Sequence, residues 1–211
     1  MRRTIIVIPC FNEAARLEPE SFLAFAEREK SVTLLFIDDG STDDTFGALD
    51  RLADHDRDAF QVHRLDENVG KAEAVRQGLL RAFEAAPDSV GFWDADLATP
   101  LSDILVFREL LDARPDLEMI FGSRINLLGR SVKRNLSRHY IGRFFATAVA
   151  TVLGLAIYDT QCGAKLFRVN DQTRELFADP FVSSWIFDVE IVARLLKQRR
   201  GMDLPQPEDV V

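Results

Sequence analysis

The stretch Phe92-Trp93-Asp94-Ala95-Asp96-Leu97 carries an apolar run, residues 90–93, directly into two carboxylates. The run predicts a buried strand. Side chains two positions apart in a strand point the same way, so Asp94 and Asp96 would converge if the strand continued through them. Adjacent carboxylates favour a neutralising cation, and Mg²⁺ and Mn²⁺ prefer oxygen ligands. A solvated turn after the strand is the alternative interpretation.

Other apolar runs have the same character, and they predict strands at residues 4–9, 32–37, 60–65 and 119–122. Segments with apolar residues at helical spacing lie between them. Alternating strands and helices predict an α/β fold whose central sheet is mostly parallel and flanked by helices. Ligands of such sheets bind beyond the carboxyl ends of the strands.

Polar residues and turn residues follow four of the predicted strands, and we expect them at one edge of the sheet. There Asp38 can accept a hydrogen bond from a nucleobase or a ribose, and Lys71 can add positive charge. A cation held by Asp94 and Asp96 would bridge a diphosphate. No G-x-G-x-x-G follows the first strand and no P-loop motif is present, so neither a dinucleotide site nor a P-loop site is expected. The candidate nucleotide-site residues are Pro9, Asn12, Glu13, Asp38, Asp39, Gly70, Lys71, Asp94, Ala95 and Asp96.

The composition is that of one globular domain of 211 residues, with a net charge of −8 that argues against general nucleic-acid binding. The two cysteines, Cys10 and Cys162, have no metal-ligand spacing. No signal-peptide core and no apolar stretch long enough to span a bilayer is present. These features predict a protein of a reducing, cytoplasmic compartment.

Residues 119–158 differ from the rest of the chain because they contain no Asp or Glu. The same segment holds six cationic residues and ends in an apolar run at residues 144–157. This combination favours an anion-binding or membrane-facing surface. The apolar run suits a buried or interfacial helix, and an ordinary core helix is equally compatible with it.

Several motifs together resemble the family 2 glycosyltransferases of the GT-A fold. They are residues 8–13 (IPCFNE), 38–43 (DDGSTD), 68–71 (NVGK) and 94–96 (DAD). Residues 122–124 (GSR), 159–167 (DTQCGAKLF) and 185–190 (WIFDVE) narrow the resemblance to polyprenyl-phosphate sugar transferases. Among these, the dolichyl-phosphate β-glucosyltransferases are the most similar. The resemblance extends over nearly the whole chain.

This resemblance implies a single Rossmann-like GT-A domain over residues 1–211. It also implies inverting transfer of a hexose, glucose, from a nucleotide sugar donor, UDP-glucose, with Mg²⁺ or Mn²⁺. By analogy Asp38 would contact the base, Asp94 and Asp96 would serve the metal, and Asp188 is a candidate catalytic base. Asp159 is a second candidate for that role. Trp185, the first residue of the motif at 185–190, is expected in the core, and the alternative is a platform that contacts the acceptor.

The implied acceptor is a polyprenyl or dolichyl phosphate. A phosphate monoester is mostly dianionic at pH 7, so it needs cations to hold it more than a base. The acid-free segment supplies the predicted acceptor residues, Arg124, Arg134, Ser137 and Arg138. We therefore expect peripheral contact with the cytoplasmic face of a membrane.

Other interpretations stay open at this point. They are a GDP-mannose donor, a soluble sugar acceptor, an Asp-x-Asp phosphatase and a non-catalytic nucleotide- or membrane-binding scaffold. Family members also continue beyond the last helix with a strand and a segment containing Trp and Gly. The chain ends at Val211, so we expect either a shortened acceptor side or a natural soluble form.

Overall fold

The computed structural model describes residues 2–122 and 162–200. The strands are β1 (Thr4–Cys10), β2 (Val32–Asp38), β3 (Phe60–Arg64), β4 (Ser89–Trp93), β5 (Met119–Phe121) and β6 (Ala164–Arg168). The helices are α1 (Pro19–Arg28), α2 (Thr45–His55), α3 (Lys71–Glu84), α4 (Asp103–Ala113), α5 (Asp171–Leu176) and α6 (Phe187–Arg200).

Within residues 2–122 and 162–200 the strands form one six-stranded sheet in the order β3-β2-β1-β4-β6-β5. Strands β3, β2, β1 and β4 are parallel, and β6 runs antiparallel between β4 and β5. The predicted mostly parallel sheet flanked by helices is confirmed. Strand β6 was not predicted, because Lys165 interrupts its short apolar pattern.

The two faces of the sheet bury separate apolar layers. Side chains alternate along β1, so Ile6 and Ile8 pack on one face while Ile5 and Val7 pack on the other. The first layer is completed by residues of α1, α2 and α4, and the second by residues of α3, α5 and α6. These helices cover both faces and leave the carboxyl ends of the parallel strands free to build a site.

The chain leaves the described part at Gly122 and re-enters it at Cys162, and these two residues are neighbours. The amide of Gly122 donates a hydrogen bond to the carbonyl of Ala164 at 2.9 Å. A Cβ added to Gly122 would lie 2.7 Å from the sulfur of Cys162. Gly122 and Cys162, the described residues on either side of positions 123–161, are therefore at the carboxyl edge of the sheet, beside the end of β4.

None of the helices within residues 2–122 and 162–200 combines the length and the apolar character that crossing a membrane requires. The apolar run at 144–157, predicted as a helix, lies outside the described residues.

Candidate active site

The Asp-x-Asp sequence lies on a turn and not on a strand. Strand β4 ends at Trp93, and the amide of Leu97 donates to the carbonyl of Asp94 at 3.3 Å. Leu97 itself has a positive φ of 51°. The expectation that strand alternation brings the two carboxylates together is therefore wrong. Both residues of the turn nevertheless line the same cavity.

This cavity has a volume of about 180 Å³ and lies where β1, β4 and the start of α3 meet. It contains three carboxylates and two cationic groups. Its lining residues are Pro9, Glu13, Arg16, Lys71, Asp94, Ala95 and Asp96. All of these except Arg16 were predicted from the sequence. The predicted residues Asn12, Asp39 and Gly70 lie in the surrounding loops and Asp38 lies at the end of β2, and none of the four lines the cavity.

Two ion pairs neutralise part of the charge inside the cavity. The ammonium of Lys71 is 2.5 Å from Oδ1 of Asp94, and a guanidinium nitrogen of Arg16 is 2.7 Å from Oε1 of Glu13. Burial raises the pKa of Glu13, and the nearby Asp96 charge acts in the same direction. The ammonium of Lys71 thus lies against Asp94. The same carboxylate would attract an incoming metal cation.

Asp39 holds the loop that leads into α3. Its two carboxylate oxygens accept hydrogen bonds from the amides of Val69 at 2.7 Å and Gly70 at 3.0 Å. Burial raises the pKa of Asp39, and these two hydrogen bonds oppose the effect. Gly40 follows with a φ of 65°, and a Cβ there would lie 2.5 Å from the backbone of Glu67. The close approach of the two loops places Lys71 in the cavity.

Asn12 connects the loop after β1 to the loop after β2. Its backbone amide donates to the hydroxyl of Ser41 at 3.0 Å, and its Oδ1 accepts from the amide of Thr42 at 2.8 Å. Asn12 has a φ of 52°, a left-handed conformation that asparagine tolerates better than most residues. Its contacts position the neighbouring Glu13 at the cavity.

Asp38, at the end of β2, is completely buried. Its Oδ1 accepts from the amide of Ser41 at 3.1 Å, and its Oδ2 lies 3.3 Å from Nε of Arg64. Within the described part of the chain this Oδ2 has no aligned hydrogen bond, so the carboxylate keeps an acceptor to spare. Arg64 covers it while also donating to the carbonyl of Ser41 and lying over the ring of Phe46.

Asp188 lies in the first turn of α6 and is paired with a residue that sequence reasoning did not select. Its carboxylate binds the ammonium of Lys165, a side chain without solvent exposure. Burial lowers the pKa of Lys165, and the Asp188 charge opposes that effect. The interrupted strand pattern at this lysine was the available signal for an unusual buried group.

Gly163 lies directly behind the Asp-x-Asp turn. A Cβ at this position would be 1.9 Å from Oδ2 of Asp94, so only a residue without a side chain fits there. Trp93 of β4 pairs with Ala164 of β6. Because the two strands are antiparallel, Asp94, which follows Trp93, lies beside Gly163, which precedes Ala164. Gly163 is thus a site residue that the sequence did not reveal.

Trp185 is 82% exposed, so its expected place in the core is wrong. Trp185 belongs to the loop that precedes α6. Glu190 of α6 binds the start of this loop, because its Oε2 accepts a hydrogen bond from the amide of Val182 at 3.0 Å. Arg194 pairs with Glu190 and donates to the carbonyls of Leu176, Asp179 and Pro180. These polar contacts hold the loop in a position that leaves the indole of Trp185 exposed to solvent.

The fit of a metal ion can be judged from the donor set. Among the described residues, no three His, Cys, Asp or Glu side chains are arranged as a closed metal site. Two carboxylates on one turn form an open site, which suits a hard divalent cation that takes its remaining ligands from a diphosphate and water. Asp94 and Asp96 therefore fit a metal that binds together with a nucleotide.

A larger cavity, of about 330 Å³, lies at the opposite edge of the sheet. It is bordered by Arg2, Asp88, Arg108, Asp112 and Arg168. These guanidinium groups already bind carboxylates, a hydroxyl and backbone carbonyls.

The predicted residues Asp159, Arg124, Arg134, Ser137 and Arg138 lie outside the described residues.

The sequence matches the model of the family described as Glycosyl transferase family 2 over residues 5–172, which is most of the chain. The chain belongs to glycosyl transferase family 2. The cavity therefore lies in a glycosyltransferase domain, at the edge of the sheet where the sequence motifs converge.

Relatives within the family carry one recurring name. The chain is 32% identical to the dolichyl-phosphate beta-glucosyltransferase of Drosophila melanogaster, over 98% of this chain and 65% of that protein. It is 30% identical to the enzymes of the same name from Saccharomyces cerevisiae and Homo sapiens, over 92% and 89% of this chain. The chain spans 61 to 65% of the length of these three relatives.

Solved structures of glycosyltransferases share the fold. Glucosyl-3-phosphoglycerate synthase from Mycobacterium tuberculosis, in complex with Mn²⁺, UDP-glucose and phosphoglyceric acid, aligns with a TM-score of 0.66 at 20% identity. That alignment covers 98% of this chain and 74% of the other. Mannosyltransferase PcManGT from Pyrobaculum calidifontis, in complex with GDP-mannose and Mn²⁺, aligns with a TM-score of 0.52 at 23% identity, over 83% of this chain and 45% of the other.

Proposed function

We propose that this chain is the donor-binding and catalytic part of a hexosyltransferase that moves glucose from UDP-glucose to a polyprenyl or dolichyl phosphate. The observation that carries the proposal is the cavity in which Asp94 and Asp96 lie beside Lys71 at the carboxyl edge of the sheet. The recurring name of the relatives supports the sugar and the acceptor.

In this proposal Asp94 and Asp96 hold Mg²⁺ or Mn²⁺, and the ion would neutralise charge that develops on the departing diphosphate. Lys71 moves from Asp94 toward the phosphates, since its ammonium already lies at the mouth of the site. Arg16 adds a second cation to the same wall. Pro9, Glu13 and Ala95 shape the pocket for the sugar nucleotide.

Asp38 is the proposed contact to the base. Its Oδ2 retains an acceptor, because the nearby Arg64 is not aligned for a hydrogen bond. The carboxylate is buried in the present arrangement, so the half-exposed Arg64 side chain would have to move aside when the base enters. Asn12, Asp39 and Gly70 contribute by holding the loops that surround the nucleotide.

The acceptor side is proposed to come from the acid-free segment, residues 119–158. Gly122 and Cys162 are neighbours, and Gly163, the residue after Cys162, lies against Asp94; this supports a location of the segment beside the donor. Its cations and hydroxyl, Arg124, Arg134, Ser137 and Arg138, would bind and orient the lipid phosphate. Asp188 and Asp159 are the two candidates for a base, although a dianionic phosphate nucleophile does not depend strongly on one.

Peripheral contact with the cytoplasmic face of a membrane completes the proposal. A lipid phosphate is reachable only at a membrane surface, and surface Lys and Arg residues contribute about 1 kcal/mol each to attraction by anionic lipid. The acid-free segment concentrates such residues in one part of an otherwise acidic chain.

The direct test is sugar transfer by the full chain. Radiolabelled UDP-glucose and GDP-mannose are offered with Mn²⁺ and either dolichyl phosphate or a soluble sugar, and the product is separated by solvent extraction. We expect labelled lipid only from UDP-glucose with dolichyl phosphate, with inverted configuration at the anomeric carbon. Transfer from GDP-mannose, or to the soluble sugar alone, would contradict the proposal. Metal-independent nucleotide binding in a calorimeter would contradict the assigned metal site.

Two matched variants test the acceptor residues. Replacing Arg134 and Arg138 by Ala is expected to raise KM for the lipid phosphate and leave nucleotide affinity unchanged. Arg57→Ala removes a side chain that is 80% exposed and paired with Asp54, far along the chain from the segment, and serves as the control. Unchanged acceptor kinetics in the double variant would contradict the assignment.

A further inference from the structure

Lys165 is a buried cation within the strand that lies beside the Asp-x-Asp turn. Its ammonium donates a hydrogen bond to the carbonyl of Cys162 at 2.8 Å and binds the carboxylate of Asp188. It also lies 5.0 Å from the ring centroid of Phe92. All three partners are themselves buried. The side chain is therefore fixed in one place.

Stability alone is a weak explanation for this arrangement. A buried ion pair loses the hydration of both charges, and apolar side chains of similar size often replace such pairs without destabilising a protein. A lysine at this position interrupts the otherwise apolar part of the strand, residues 164–167. What the pair does contribute is a defined geometry between β6, α6 and the backbone at Cys162.

That geometry leads directly to Asp94. Cys162, whose carbonyl is held by Lys165, is followed by Gly163, and the backbone of Gly163 lies against the Asp94 carboxylate. A backbone shift at Gly163 would open or close the space that this carboxylate occupies. The hydrogen bond from Lys165 thus acts on the Asp-x-Asp turn from the side opposite the cavity.

We propose that Lys165 is a positioning residue: by binding the Cys162 carbonyl and the Asp188 carboxylate, it holds Gly163 against Asp94 and fixes the direction in which Asp94 faces the donor site. Asp188 is then the partner that keeps Lys165 in place. The part of this proposal that concerns metal binding rests on the proposed function.

The first test measures Mn²⁺ affinity by electron paramagnetic resonance in the presence of UDP. Outer-shell partners of metal ligands typically change affinity by about 10-fold or more when they are removed. We expect that loss in Lys165→Met and in the charge-free double variant K165M/D188N. In both variants kcat falls while KM for the lipid phosphate stays unchanged. Wild-type Mn²⁺ affinity in the double variant would overturn the proposal. A loss of kcat in an Asp188→Asn variant whose Mn²⁺ affinity is intact would also overturn it.

The matched control is a second ion pair of α6, between Glu190 and Arg194. Both side chains are 16% exposed, and they hold the loop before α6 without contacting Asp94. The variant E190Q/R194M is expected to unfold at a lower temperature with unchanged Mn²⁺ affinity. An equal loss of Mn²⁺ affinity in this control would assign the effect to general destabilisation and overturn the proposal.

Hydrogen–deuterium exchange of the metal-free protein gives an answer that does not depend on the proposed function. We expect amides of residues 93–97 and 162–164 to exchange about 10-fold faster in K165M/D188N, because local opening becomes easier when an anchor is lost. The control variant leaves these peptides unchanged. Unchanged exchange at 93–97 in K165M/D188N would overturn the proposal. Failure of the proposed function would instead appear as absence of glucose transfer by the wild-type chain.

Discussion

Replacing Asp39 with alanine would remove the side chain that connects the loop after β2 to the loop before α3. The structure gives the magnitude, because two hydrogen bonds, at 2.7 and 3.0 Å, end on this carboxylate. Hydrogen bonds to a charged group contribute about 1.5–3 kcal/mol each. The cost of burying the charge offsets part of this gain, so we expect Asp39→Ala to lower the free energy of unfolding by about 2–4 kcal/mol.

The pH dependence has a definite sign. Burial raises the pKa of Asp39 above its ordinary value of 3.8. The folded state therefore binds the proton more tightly than the unfolded state does, and ionisation of this group weakens folding. The stability advantage of the wild type over Asp39→Ala is largest below pH 3.8 and decreases as the pH rises through the raised pKa. At neutral pH the remaining stability advantage of the wild type comes from the two hydrogen bonds to Asp39.

The assay is urea denaturation followed by the fluorescence of the buried Trp93, at several pH values between 4 and 7. Asp44→Ala is the control, because this aspartate is 70% exposed and its pair with Arg51 is expected to contribute less than about 1 kcal/mol. A loss below about 1 kcal/mol for Asp39→Ala would refute the reasoning. So would an advantage of the wild type that grows as the pH rises.

Three further outcomes are expected. Gly163→Ala should weaken binding of Mn²⁺ and UDP by about 10-fold in calorimetry, because its Cβ would displace the Asp94 carboxylate; unchanged affinity would mean that the turn can relax. Leu79→Ala should lower the free energy of unfolding by about 2–5 kcal/mol in urea, since this α3 side chain is fully buried, and a loss below that range would indicate that the helix repacks. Cys10 and Cys162 should react with Ellman's reagent only after unfolding, because both are buried and burial raises the pKa of the Cys10 thiol; rapid labelling of the native protein would contradict this.

The first five strands could be predicted because each is an apolar run followed by a turn, a pattern that local sequence is sufficient to reveal. Strand β6 could not, since its position between β4 and β5 depends on partners far away in the chain. Its apolar pattern is broken by Lys165, whose charge is neutralised by Asp188 on a distant helix. Pairing over such a distance leaves no local signal.

The candidate site shows the same division. Glu13, Lys71 and Asp94 could be selected because they follow strands whose carboxyl ends share one edge. Arg16 and Gly163 were not selected as site residues. The position of Arg16 depends on the path of a loop, and that of Gly163 depends on the β4–β6 pairing. The position of Asp39 was predicted, whereas its hydrogen bonds to the next loop could be seen only in three dimensions.

The contact between Gly122 and Ala164 has a consequence for how proteins of this architecture could diversify. Because the chain departs and returns at neighbouring points of the sheet, residues 123–161 can be exchanged for a segment of another length without changing the distance to be bridged. Each doubling of such a segment costs only about 0.6 kcal/mol of closure entropy. The sheet formed by the described residues could thereby receive a different connecting segment through a single graft, with its six strands left in place.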